Sequence, residues 1–134
     1  MDAPNHLSHK PIVSVNDYDK IDAQWSKNTD VAALSIGEAQ YDGDEISLKV
    51  WRHTGNRWSR QSEEIPLHRN IDLNILLLGA LMSDAKSKYP KTNLREEITN
   101  ENNLAKLKDY YQSNEQFLRP RLEELKDKLN EFLK

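Results

Sequence analysis

The chain contains no cysteine among its 134 residues, which excludes disulfides, thiolate metal sites and a cysteine nucleophile. Its four glycines form no phosphate-cradling loop, so nucleotide-dependent catalysis is not expected. No run of 18 apolar residues exists, so no membrane-spanning segment and no membrane partner are expected. Met1-Asp2-Ala3-Pro4-Asn5-His6 lacks a basic start and an apolar stretch, giving the expectation of no signal peptide and a cytoplasmic, bacterial-type protein. An excess of one charge is lacking too: 19 basic residues against 22 acidic leave -3. What remains suffices for a core. Leu, Ile, Val and Phe make 31 of the 134 residues, above the range in which chains stay disordered, and a chain of this size buries roughly two thirds of its unfolded surface.

Composition separates three zones. Residues 1–30 are polar and read as an extended N-terminal arm, with a short apolar patch at Ile12, Val13 and Val15 and a helical turn started by Asn16 or Asp17. His6 and His9 fall in this arm and are expected to be solvated. Residues 31–89 hold most of the apolar material and form a sheet-plus-helix core. Residues 90–134 are rich in lysine and glutamate and form a helical segment that packs on the core or on a partner. Pro90 marks the boundary between the last two zones.

Within the core zone, Leu34 and Ile36 alternate with small residues, and Ile46, Leu48 and Val50 alternate with Ser47, Lys49 and Trp51. A three-residue Tyr41-Asp42-Gly43 loop with Gly43 left-handed pairs Leu34 with Val50 and Ile36 with Leu48, gathering the aliphatics on one face. A two-residue Gly55-Asn56 turn would set His53 opposite Trp58 and Trp51 opposite Arg60, whereas a three-residue loop would flip the second strand and bring Trp58 to the core face. With the two-residue turn, the other face of the sheet would carry Lys49, Trp51, His53, Trp58 and Arg60. Asn70 is the expected N-cap of a helix over 71–88, with Asp72 at its positive end. The apolar positions of that helix go round more than one side, so it needs two partners, one of them the sheet. In the tail, Ser113 and Gln116 resemble a capping box, Pro120 kinks a helix or opens one, and Leu122, Leu125, Leu129 and Phe132 recur at 3, 4 and 3, a heptad-like seam. The predicted fold is α+β: a curved antiparallel sheet packed on one long helix, with a C-terminal helical segment.

Lys49 to Arg60 holds four basic residues and no acidic one, while the rest of the chain has 15 basic against 22 acidic. Phosphate backbones need cations and unpaired bases need aromatic faces. Lys49, Trp51, Arg52, His53, Arg57, Trp58 and Arg60 are therefore candidates for binding single-stranded nucleic acid, in a non-enzymatic binding module without cofactor or metal. The alternative is a protein-interaction or assembly module, with another protein or a second copy as its partner, acting through Leu122, Leu125, Leu129 and Phe132. A remote third reading is a hydrolase using His53 and His68 with Glu63, Glu64 and Arg69, although their spacing matches no catalytic motif. Asp17, Asp19 and Asp22 do not make a calcium loop, because Asp22 and Asn28 stand where glycine and glutamate are required.

Two resemblances accompany these residues. Lys49-Val50-Trp51-Arg52, Arg57-Trp58-Ser59-Arg60-Gln61-Ser62-Glu63-Glu64 and Pro66-Leu67-His68-Arg69 resemble the signature block of a small bacterial family of unknown function, which implies no particular activity. The succession of strands, Ile65-Pro66-Leu67 and a long helix is similar to the single-stranded-DNA-binding transcriptional coactivator and Whirly-like proteins. That similarity implies an antiparallel sheet, dimerisation through helices and single-strand binding. Glu63, Glu64 and Asp72 depart from its pattern.

Overall fold

A computed structural model describes residues 1–87 and 89–134. The fold is α+β. Four strands, β1 (Lys10–Asn16), β2 (Val31–Glu38), β3 (Ile46–Arg52) and β4 (Glu63–Pro66), are followed by three α-helices, α1 (Leu67–Leu81), α2 (Leu104–Ser113) and α3 (Glu115–Phe132). The chain divides into two compact units, Met1–Leu73 with the sheet and Asn74–Lys134 with most of the helices.

In the first unit the sheet order is β1-β2-β3-β4 and every neighbouring pair is antiparallel. Leu34 pairs with Val50 and Ile36 with Leu48, the register that puts these aliphatics on one face. The loop that sets it differs from expectation. Gly43 is not left-handed. Instead the Ala39 amide donates to the Glu45 carbonyl at 2.9 Å, and the Glu45 amide donates to the Asp42 carbonyl at 3.0 Å, so a β-turn reverses the chain. Residues 10–16 of the polar N-terminal zone supply the edge strand. A bulge between Pro11 and Val13 shifts its pairing. There the backbone comes so close that a Cβ on Gly37 would lie 2.0 Å from the Lys10 carbonyl oxygen, so only glycine fits. The expected turn after Asn16 is present as one turn of 3-10 helix, Tyr18–Lys20, with Asp17 as its N-cap residue.

The deeply buried face of the sheet is the one with small and polar side chains. Ala33, Ala39, Trp51, Ser35 and Ser47 are buried there, together with His9. The aliphatic face, with Val13, Val15, Leu34, Ile36, Leu48 and Val50, lines an open groove of about 350 Å³. Val13 is 63% exposed and Val15 46%. Period-two patterning therefore located both faces but ranked them by hydropathy, whereas burial follows the segment before β1, which lies against the small residues.

α1 begins at Leu67, three residues before the expected cap at Asn70 and five before Asp72. Pro66 lacks the N–H that would continue the ladder, and its fixed φ suits a helix start, so strand passes directly into helix. The helix stops at Leu81. Just beyond, the Ser83 hydroxyl donates to the Gly79 carbonyl at 2.7 Å. Lys88, the expected end of the helix, lies outside the described residues. In the second unit Ser113 closes α2 instead of capping α3. Asn114 joins the two helices: its carbonyl accepts from the Phe117 and Leu118 amides, and its side-chain amide donates to the Tyr110 carbonyl at 3.0 Å. Pro120 lies inside α3, in its second turn.

Candidate functional site

The basic-aromatic hairpin has the expected tip. Gly55 takes φ +96°, the left-handed conformation that a tight hairpin turn with glycine first requires. His53 pairs with Trp58, and the Thr54 amide donates to the Arg57 carbonyl at 2.9 Å. Trp51 and Arg60 do not become partners. Ser62 turns the returning strand: its Oγ accepts from the Arg52 amide at 2.9 Å and donates to the Ser59 carbonyl at 3.0 Å. The ladder then resumes with Val50 opposite Glu63. Lys49, Trp51, His53 and Trp58 accordingly share one face, joined by edge-on ring contacts of 5.5 Å between Trp51 and Trp58 and 4.9 Å between His53 and Trp58.

That face is closed over its first half by His9, which is fully buried rather than solvated. Its ring lies edge-on to Trp51, with centroids 5.7 Å apart. Nδ1 is 2.9 Å from Ser47 Oγ and Nε2 is 3.0 Å from Ser35 Oγ. The surrounding partners fix the tautomer. Trp51 Nε1–H donates to Ser35 Oγ at 2.8 Å, which leaves the Ser35 proton for His9 Nε2. Ser47 Oγ–H donates to Glu64 Oε2 at 2.7 Å, which leaves its lone pair for His9 Nδ1–H. Every donor thus points along one chain from the Trp51 indole to the Glu64 carboxylate, through a neutral imidazole protonated on Nδ1.

The titration of both ends agrees with this order. Burial is the main cause that lowers the His9 pKa below 6.5; Lys49 adds to it, and Glu64 opposes it. At Glu64 burial favours the neutral acid, but the Gln40 amide, Ser47, Lys49 and His9 together outweigh it and hold the carboxyl below its usual range. Lys49 Nζ lies 3.7 Å from Glu64 and 4.4 Å from the centre of the Trp51 ring. Among the described residues no buried side-chain polar atom is left without a partner. Serine, histidine and glutamate stand together here, but both imidazole nitrogens are filled and the ring has no exposed surface. The cluster is a clasp that holds the segment before β1 to the sheet.

The seven hairpin candidates therefore separate. Trp51 is 1% exposed and offers no face to a base in this conformation. Lys49 is engaged beneath it. Arg52 is bridged between Asp30 at 2.6 Å and Glu63 at 2.8 Å; Glu63 first and Asp30 second raise its pKa, and it in turn holds the Glu63 carboxyl below the usual range. Arg57 and Arg60 are exposed, and His53 and Trp58 are half-buried. His53 sits at the tip, where its Nδ1 accepts from the Gly55 amide at 3.1 Å, and His68 is exposed in the first turn of α1. No hydrogen bond or ring contact joins the two among the described residues. Sequence reasoning missed His9. Its signal was the small face of Ser35, Gly37 and Ser47, which leaves room that a bulky side chain must fill.

The second unit carries the other candidates. Leu77 and Leu81 of α1, Leu107 and Tyr111 of α2, and Leu122 and Leu125 of α3 line an apolar groove of about 370 Å³. α3 is exposed at every residue from Glu123 to Phe132, and past Leu125 none of its residues lines the groove. Leu129 is 49% exposed and Phe132 86%. Leu118 precedes the expected seam by four residues and also lines the groove, so the strip runs over three turns and more.

A family model matches residues 1–99. The chain belongs to DUF6530, a family of unknown function. The DUF6530 match takes in the whole sheet, the His9 clasp, the basic hairpin and α1, and it stops short of α2 and α3. No curated protein and no solved structure matches the chain. Among the described residues no helix is long and apolar enough to cross a membrane.

Proposed function

We propose that this DUF6530 chain is a non-enzymatic protein-interaction module whose α3 pairs with an amphipathic helix of a partner. The observation that carries this reading is the exposed end of α3. From Glu123 to Phe132 every residue of the helix is exposed and only Leu125 among them lines the groove, so little packing supports this end of α3 and its apolar stripe is left to solvent. Its leucines lie on one stripe that continues into the apolar groove, the arrangement by which grooves take up helices.

The charges beside the stripe choose the partner. With Leu118, Leu122, Leu125, Leu129 and Phe132 at seam positions, the flanking charged residues are Arg119, Arg121, Lys126 and Lys128, all basic. Glu123, Glu124, Asp127 and Glu131 lie on the outer side. The ion pairs Arg119–Glu123 and Lys128–Glu131 are exposed and hold the flanks only weakly. A parallel second copy would set Arg121 against Lys126, and like charges at such positions oppose pairing. A helix with glutamate or aspartate on both flanks fits instead. Calorimetric titration of the full chain with two leucine-seam peptides, one flanked by glutamate and the other by lysine, tests this. Binding of the acidic peptide alone, abolished by Leu129→Glu, supports the reading. Equal binding of both peptides, or of neither, refutes it, and dimerisation of the chain alone through α3 would replace the partner by a second copy.

A second reading is favoured by the exposed Arg57 and Arg60 beside Trp58. These residues keep a smaller single-strand site at the hairpin tip open, without Trp51. Titration with a labelled single-stranded oligonucleotide at two salt concentrations tests it: affinity that falls steeply with salt and is lost in Arg57→Glu/Arg60→Glu supports the site.

A further inference from the structure

The first unit has a cavity of about 530 Å³ at the end of the sheet remote from the clasp residue Ser47, walled by the segment between β1 and β2. Its size falls within the range of small-molecule sites. Tyr18 and Trp25 supply aromatic walls, Asp22 and Asp30 supply carboxylates, and Arg52 closes one side. Trp25 is 52% exposed, a large aromatic surface left to solvent beside a concavity. It is held on a single turn of 3-10 helix by its amide, which donates to the Asp22 carbonyl at 2.9 Å. Asp22 lines the same cavity.

Electrostatics decides what such a cavity accepts. Arg52 is shared by Asp30 and Glu63, so these three groups together keep one negative charge. Asp22 has no ion-pair partner among the described residues and adds a second. A cavity with aromatic walls and surplus carboxylate attracts a cation, which gains from the ring faces as well as from the acid. An anion would meet both carboxylates, and a neutral apolar molecule would leave Asp22 desolvated without compensation.

We infer that the Tyr18–Trp25 cavity is a binding site for a small organic ammonium ion. Trp25 and Tyr18 face its alkyl groups and Asp22 balances its charge. The site lies in the part of the chain that matches DUF6530 and does not depend on α3, so it stands or falls separately from the helix-pairing function.

Choline is the probe, and 3,3-dimethylbutan-1-ol is its neutral isostere. Both are titrated into the full-length chain while the three tryptophan indole N–H signals are followed by ¹⁵N-correlated NMR, with Trp25 assigned through Trp25→Phe. Choline is expected to shift the Trp25 signal saturably. The isostere should bind at least roughly tenfold more weakly, as should choline to Asp22→Asn, a tenfold change corresponding to about 1.4 kcal/mol. Equal binding of choline and its isostere, a shift confined to Trp51 or Trp58, or no shift at millimolar choline overturns the assignment. The comparison of the two probes uses the unaltered protein, so it decides the matter even if Asp22→Asn fails to fold.

Discussion

Replacing His9 by alanine tests the clasp. The imidazole is fully buried against the Trp51 edge, so its removal opens a cavity, and cavity-forming truncations of large buried side chains cost about 2–5 kcal/mol. Ser35 and Ser47 each lose one hydrogen bond but keep another, from Trp51 and to Glu64 respectively. This places their added cost at the low end, about 1 kcal/mol each. The sum expected for His9→Ala is about 4–7 kcal/mol, a large part of a typical domain's stability. Urea unfolding at pH 7.5 followed by tryptophan emission is the assay, since Trp25, Trp51 and Trp58 all lie in the first unit. His6→Ala, at an exposed position, serves as the control and should change stability by less than about 0.5 kcal/mol. The pH dependence has a definite sign. Because burial lowers the His9 pKa below 6.5 in the folded state, the unfolded chain takes up a proton at this position first as pH falls. The first unit is therefore at full stability above 6.5 and loses it below. Glu64, whose folded pKa lies below 4.5, adds a second loss as pH falls below that value. His9→Ala should flatten the first loss and leave the second. A cost below about 1 kcal/mol, or an unchanged slope between pH 6.5 and 5, would refute the neutral buried imidazole.

Gly37→Ala should destabilise the first unit by about 2–4 kcal/mol or prevent its folding, because the new Cβ meets the Lys10 carbonyl oxygen; circular dichroism during thermal unfolding reads this, and an unchanged midpoint contradicts the close approach. Arg52→Ala should cost no more than about 1 kcal/mol, since Asp30 and Glu63 are exposed partners, and most of that difference should vanish in 1 M salt; a loss that is large and independent of salt would show that Arg52 acts through packing.

The legible part of the fold was its local part. Leu34 with Val50 and Ile36 with Leu48 were set by alternation and by the need to keep aliphatics together, and the same reasoning placed Gly55 at the hairpin tip. The choice of buried face was not legible, because it depends on His9 meeting Ser47 across 38 residues and Ser35 across 26. Hydropathy assigns a serine-rich face to solvent, whereas here the serines are linked into one hydrogen-bonded chain by a histidine that looks solvated in sequence. The helix start failed for a local reason: Asn70 is a good cap by composition, but Pro66 ends the strand and opens the helix before it. The α3 seam was visible at 3, 4 and 3 spacing. Its basic flanks only gained meaning once the helix was seen to continue past the groove into solvent.

Hydrogen exchange along residues 123–132 tests the interaction reading most directly. In the free chain this stretch has no tertiary cover past Leu125, so its amides from Lys126 on should exchange close to the rate of an unfolded peptide. Addition of the glutamate-flanked leucine peptide should slow them strongly, and the lysine-flanked peptide should not. Strong protection in the free chain, or exchange that neither peptide changes, would contradict the assignment of α3 as the docking helix.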